Sequence, residues 1–182
     1  MRCLIFTCVL ALFTACVGTA ASIEVFFSPG GGCTETVVRE ISRAKRGIVV
    51  QAYSFTSAPI ADALVEASRR QVAVTVLLDK SQRTERYSLA NYLRKSGVRT
   101  RIDSKHTIAH NKVIVIDGET VLTGSFNFTA AAEKSNAENL LVIHDPEVAR
   151  QYEVNWKSHH DHSESYSGSS FLPQGRRRSP GR

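Results

Sequence analysis

Apolar and polar positions divide the chain into short segments of two alternating kinds. "IEVFF" (Ile23–Phe27) is a short run of strand type. "GIVVQAYSF" (Gly47–Phe55) and "VAVTVLLD" (Val72–Asp79) are nearly continuous apolar runs, the pattern of strands covered on both faces. Between them the period becomes helical. Val37, Val38, Ile41 and Ala44 share one face of a segment that Thr34 is expected to cap and that runs to about Lys45. Ile60, Ala63, Leu64 and Ala67 repeat this in a segment reaching about Arg70, with Pro59 in its first turn. "SLANYLRKSG" predicts a short helix stopped by Gly97, and "VRTRI" a strand. An apolar run, Asp117–Gly118 and a second apolar run then predict a hairpin. "ENLLVIHD" reads as one more strand and "PEVARQYEVNWKSH" as a closing helix begun by Pro146.

This alternation predicts an α/β sandwich: a central mixed, largely parallel β-sheet flanked by helices. Its ends are set by composition. Arg2, the apolar "CLIFTCVLALFTAC" and the small "VGTAAS" describe a secretory signal peptide, residues 1–21, cut near Ala20–Ser22. The expected location is therefore periplasmic or secreted. The apolar run is short for a membrane span, and no stable membrane association is expected after cleavage. Lipid attachment at Cys16 is the competing reading. Residues 22–158 form the expected domain. From His159 the chain turns polar, Gly/Ser/Pro-rich and basic, so 159–182 is expected to be a disordered tail. His159, His160 and His162 offer metal ligands there, but a solvated tract is the simpler reading. Arg176, Arg177 and Arg178 add affinity for phosphates or merely end the chain.

Charge and cysteine narrow the chemistry. The formal net charge of +6 suits a polyanionic partner without requiring one. Cys3, Cys8 and Cys16 fall in the leader, so Cys33 alone remains and no intramolecular disulfide can form. There is no CxxC pair for zinc and no acidic metal cluster, and neither metal nor cofactor is expected. A thiol enzyme using Cys33 is one alternative, since a Gly-rich helix start can lower a thiol pKa; a small residue in a tight turn is the preferred reading. "SPGGGCT" lacks the Gly-Lys-Ser/Thr ending of a phosphate-binding loop.

The hairpin carries polar residues at both ends. His110 and Lys112, two apart, project from one face of a strand start. The whole string is H-x-K-x4-D-x6-G-S-x-N, from His110 through Asp117 and Gly124 to Ser125 and Asn127. An isolated HxK carries little information; the complete spacing carries much more. A phosphodiester suits this set. Lys112 offers a fixed positive charge to one non-bridging oxygen, and Ser125 and Asn127 offer neutral donors to the others. His110 can attack phosphorus and form a phosphohistidine.

On these residues the chain resembles the phospholipase D superfamily, whose signature is this string. "VQAYSFTSAPIADAL" and "SNAENLLVI" are similar to the small bacterial nucleases of that superfamily, and the resemblance covers about Ile23–Lys157. It implies a phospholipase D-like fold and phosphodiester cleavage without metal. It also implies that Glu138 is the carboxylate fixing the His110 tautomer. Asp117 keeps two readings, shaping the turn or stabilising the site. One chain has one such string, and the leaving oxygen needs a second acid. His106 and His144 lie in no matching motif. The expectation is a homodimer in which two copies of His110 share one site. The expected function is a sequence-nonspecific endonuclease acting on DNA, with RNA as a further candidate. The alternative is a phospholipase D-type lipid phosphodiesterase, and a catalytically silent DNA-binding module is a third reading. Tyr87, Phe126 and Phe128 are candidates for stacking on bases, though such aromatics are more often core or rim.

Overall fold

The computed structural model describes residues 21–168. The expected signal peptide and Arg176–Arg178 lie outside them, apart from the cleavage-side residues 21 and 22. Eight strands form one sheet: β1 (Ser22–Ser28), β2 (Gly47–Ala52), β3 (Ala73–Asp79), β4 (Arg99–Asp103), β5 (Lys112–Ile116), β6 (Thr120–Gly124), β7 (Glu138–His144) and β8 (Glu164–Ser165). Their order across the sheet is β1-β7-β6-β5-β2-β3-β4-β8. The α-helices are α1 (Cys33–Arg43), α2 (Ala58–Arg69), α3 (Ala90–Lys95), α4 (Ala130–Lys134) and α5 (Pro146–His162).

The sandwich is mixed, but the expected parallel majority is not there. Only β2–β3 and β3–β4 pair in parallel; the other five neighbouring pairs are antiparallel. The cause is connection length. α2 and α3 cross over the sheet and return the chain in parallel, whereas the three-residue turn between Ile116 and Thr120 can only reverse it. Asp117 (φ 56°) and Gly118 (φ 67°) both take left-handed conformations, as a tight hairpin turn between β5 and β6 demands.

Helices cover both faces. Ile41, Ile48, Val50, Leu64, Ile114, Phe126 and Phe128 are fully buried in a core shared by α1, α2 and one face of the sheet. On the other face Val113, Val115 and Val121 pack against Ala149, Val148 and Tyr152 of α5. β5 is therefore buried along its whole length, which is why its sequence does not alternate. Trp156 anchors α5 by donating its indole N–H to the Val50 carbonyl at 3.0 Å.

Two boundaries differ from expectation. Gly32 (φ 73°), not Thr34, precedes α1; Thr34 lies inside the helix and its N–H donates to Glu133 at 2.6 Å. The tail expected from His159 begins too early. α5 continues to His162, β8 pairs with β4, and Tyr166 is buried in the main core. Polar composition misled here because the end of α5 is held by polar contacts, not by an apolar stripe.

Candidate active site

Strand polarity gathers the motif. β2 and β6 end where β5 and β7 begin, so Ala52, Lys112, Gly124 and Glu138 stand at one end of the sheet. Lys112 is the first residue of β5 and His110 precedes it by two. Lys112 Nζ lies 3.1 Å from His110 Nδ1 and donates to the His110 carbonyl at 2.8 Å. The lysine is buried while the histidine is exposed. Burial lowers the Lys112 pKa from its usual 10.5, and the negative charge of Glu138 opposes that shift. An ammonium has only donors, so Nδ1 accepts and the neutral ring carries its proton on Nε2.

Tyr53 completes this corner, and motif spacing alone did not reveal it. Its ring centroid is 4.6 Å from that of His110, and Lys112 Nζ is 5.2 Å from the Tyr53 ring centroid. The available signal was register: Tyr53 follows Ala52, which pairs with Lys112.

The second half of the motif is set by a close backbone approach. Gly124 has φ 143°, and a Cβ there would lie 2.3 Å from the Asn139 carbonyl oxygen. That contact lets Ser125 Oγ accept from Asn139 N at 3.0 Å and Nδ2 at 3.3 Å. The two bonds use the hydroxyl's lone pairs and leave its O–H to donate. Asn127 has a buried side-chain oxygen without a partner. It lines an open cleft with Tyr53, Ser54, Glu85, Tyr87 and Thr129. A buried polar atom left without a hydrogen-bond partner is rare, and a catalytic role is one of its recurrent causes.

Glu138 acts on Lys112 through its charge, but its hydrogen bond is from Asn136 Nδ2 at 3.0 Å. The expected Glu138–His110 hydrogen bond is absent among the described residues, because Lys112 occupies Nδ1.

Asp117 does not belong to this set. It follows β5 at the opposite end from Lys112, roughly 16 Å away by strand rise. Its carboxylate accepts from the N–H groups of Lys45 (2.9 Å), Arg46 (2.7 Å) and Gly47 (2.9 Å). Burial alone would raise its pKa. The N–H groups of Gly47, Lys45 and Arg46, with the Arg46 charge, hold it below the usual carboxylate range instead. Of its two readings, shaping the turn is the one the structure has.

The other candidates separate cleanly. Phe126 and Phe128 are core residues, whereas Tyr87 is 67% exposed on the cleft wall with the Arg86 guanidinium 5.3 Å from its ring centroid. Cys33 is buried; desolvation and the charge of Glu133 push its thiol pKa up, opposite to what an activated thiolate needs. His144 ends β7, away from the site, with its Nδ1 2.9 Å from Thr120 Oγ1.

Residues 37–160 match a family model described as "Cardiolipin synthase, PLD-like domain". The chain belongs to the phospholipase D superfamily. It is a phosphodiesterase of that superfamily by the same membership. A phospholipase D of Rickettsia felis is 44% identical over 136 residues, 75% of this chain and 68% of the relative. The crystal structure of the phospholipase D family member Nuc from Salmonella typhimurium superimposes with a TM-score of 0.78 at 41% identity, covering 81% of this chain and 99% of that one. NucT from Helicobacter pylori, at 23% identity and a TM-score of 0.75, covers 81% of this chain and 100% of its own and shares the fold.

Proposed function

We propose that the chain is a sequence-nonspecific endonuclease that cleaves DNA, with RNA as a further substrate, through a phosphohistidine on His110. The carrying observation is the exposed His110 beside the buried Lys112 ammonium and against the ring of Tyr53, which lines an open cleft with Asn127 and Tyr87, the latter under the Arg86 guanidinium. An extended polyanion fits such a cleft: phosphates meet cations and an exposed ring meets bases. The net charge of +6 favours the same partner.

The chemistry follows from the proton positions. A substrate oxygen draws the Lys112 ammonium off Nδ1, and the ring proton moves to Nδ1, where Glu138 accepts it. Nε2 then has a lone pair for in-line attack on phosphorus. Lys112, the Ser125 O–H and the Asn127 amide N–H stabilise charge on the non-bridging oxygens. The P–O bond to the leaving group breaks, and that oxygen takes a proton from His110 of a second copy. The same imidazole then removes a proton from water, whose attack on phosphorus releases His110. A second copy supplies the acid because the chain's other imidazoles are committed elsewhere: His106, His159 and His162 at Asp103, His144 to Thr120 and His160 against Trp156. Ile23, Val25 and Phe27, exposed on one face of the edge strand β1, supply apolar surface of the kind a homodimer covers.

Lipid phosphodiesterase activity is the second reading, favoured by the name of the Rickettsia relative. Among the described residues no helix is long and apolar enough to cross a membrane. Plasmid DNA and phosphatidylcholine vesicles, each with excess EDTA, separate the readings. DNA cleavage that His110→Ala abolishes while DNA binding survives is the expected result. Lipid turnover without DNA cleavage would replace it with the second reading.

A further inference from the structure

Three histidines and an aspartate outside the phosphodiesterase motif converge at the end of α5. Asp103 ends β4 and its side chain is fully buried. His106 follows in the β4–β5 segment, and His159 and His162, spaced i and i+3, share one face of α5. His106 Nδ1 and His159 Nδ1 lie 2.8 and 2.9 Å from the same Asp103 oxygen, Oδ2. His162 Nε2 lies 3.3 Å from Oδ1. One ligand atom from each of the four residues lies within 4.8 Å of all the others.

Hydrogen bonding alone leaves this cluster incomplete. His162 Nε2 is buried yet makes no hydrogen bond of acceptable geometry. The His106 ring centroid is 4.6 Å from that of His159 and 5.2 Å from that of His162, so protonating all three rings would crowd like charges around one carboxylate. A dication resolves both problems. It takes an imidazole lone pair from each ring and a negative oxygen from Asp103.

We propose that Asp103, His106, His159 and His162 form a binding site for one zinc-class divalent cation. Three nitrogens and one oxygen suit a borderline first-row ion, whereas magnesium and calcium prefer all-oxygen shells. Zn–N and Zn–O bonds of about 2.0–2.2 Å in a tetrahedron put ligand atoms about 3.3 Å apart. The Asp–His separations of 2.8 and 2.9 Å to Oδ2 and 3.3 Å to Oδ1 are already near that value, and drawing in ligand atoms that lie up to 4.8 Å apart takes rotations of the imidazoles. His106 and His159 present Nδ1 as a lone pair once their ring proton sits on Nε2, so the tautomer changes without losing a proton. Four protein ligands leave no open position, which makes the ion structural. It joins the end of α5 to the segment that leads to His110. That segment is already tied at Ala109, whose N–H donates to Asp79 at 2.7 Å. Phosphoryl transfer does not pass through the ion.

The test uses the full chain freed of metal by chelation and dialysis, then titrated with Co2+ and Zn2+. The expected result is one ion per chain, intense visible bands of tetrahedral Co2+ that Zn2+ displaces, and a higher melting temperature when loaded. His162→Gln and His106→Gln should each weaken binding more than the roughly 100-fold that losing an outer-shell partner costs. His110→Ala should bind like the parent. Failure of the parent chain to bind Co2+ or Zn2+ overturns the proposal, whatever the variants do. So does binding that survives both Gln variants or disappears with His110→Ala, which would move the ion to the phosphodiesterase site.

Discussion

Replacing Asp117 by alanine separates a turn anchor from a catalytic carboxylate. The side chain accepts three backbone N–H groups, from Lys45, Arg46 and Gly47. The first two are exposed and regain water when the carboxylate is gone, so each is worth about 0.5 kcal/mol, at the low end for a hydrogen bond. The Gly47 N–H is half-buried and loses a charge-assisted bond of about 1.5 kcal/mol. Alanine also inherits φ 56°, which costs it roughly 1 kcal/mol more than aspartate. These add to about 3.5 kcal/mol, or a fall in melting temperature of roughly 7–14 °C for a domain of this size. Thermal unfolding followed by far-UV circular dichroism should show that fall, with cleavage per folded molecule at 25 °C nearly unchanged. The sign with pH is also fixed. The folded carboxyl titrates below its usual 3.8, so the parent's advantage is full above that pH and is lost as pH drops through the folded value. A catalytic acid–base carboxylate is worth on the order of a hundredfold or more in rate. A loss of that size with an unmoved melting temperature would refute the anchor assignment.

Further outcomes test the other end of the sheet. The alkaline limb of the pH–rate profile should fall below pH 10.5, because burial makes Lys112 give up its proton early. Glu138→Gln removes the charge that opposes this, so the limb should move to lower pH as the rate falls; an unmoved limb would mean that Glu138 does not act on Lys112. Tyr87→Ala should weaken single-stranded DNA binding by about fivefold or more, since stacking contributes roughly 1–3 kcal/mol per base. Turnover of a small phosphodiester should be spared, and equal losses on both substrates would remove Tyr87 from base contact. Gly124→Ala forces a Cβ against the Asn139 carbonyl and should destabilise the fold by at least about 1–3 kcal/mol, measured by urea unfolding.

Periodicity exposed most of the fold because most of its elements bury apolar faces. Ile60, Leu64 and Ala67 of α2 are fully buried, and β5 reads as a strand precisely where both its faces are covered. Pairing direction was less legible. It depends on which strand a connection returns to, and β1 travels to the far edge to pair with β7. The helix start at Gly32 escaped for a similar reason: Thr34 has the right side chain for a cap, but the Thr34 N–H is satisfied by Glu133, almost a hundred residues away.

The site was legible where its residues lie on one hairpin, since strand geometry turns spacing into proximity. His110 and Lys112 share a face, and Gly124 and Ser125 follow the return strand. Asp117 belongs to the same string yet sits at the opposite end, because a carboxylate at the turn and an imidazole at the mouth are separated by a full strand. Shared motif membership therefore indicates a shared fold requirement, and only polarity along the strand tells which members meet. The histidines of α5 show the converse. His159 and His162 stand more than fifty residues from Asp103, and their local sequence is that of a solvated tract. Helical spacing could have put them on one face, but nothing local could have named their partner. That information lies in the crossing of α5 over β4, which brings two imidazoles of α5 to the buried Asp103 carboxylate beside His106. Identical side chains thus acquire different chemistry from their surroundings: the exposed His110 beside an ammonium suits the nucleophile role proposed for it, whereas three imidazoles around one buried anion suit the proposed ligand set.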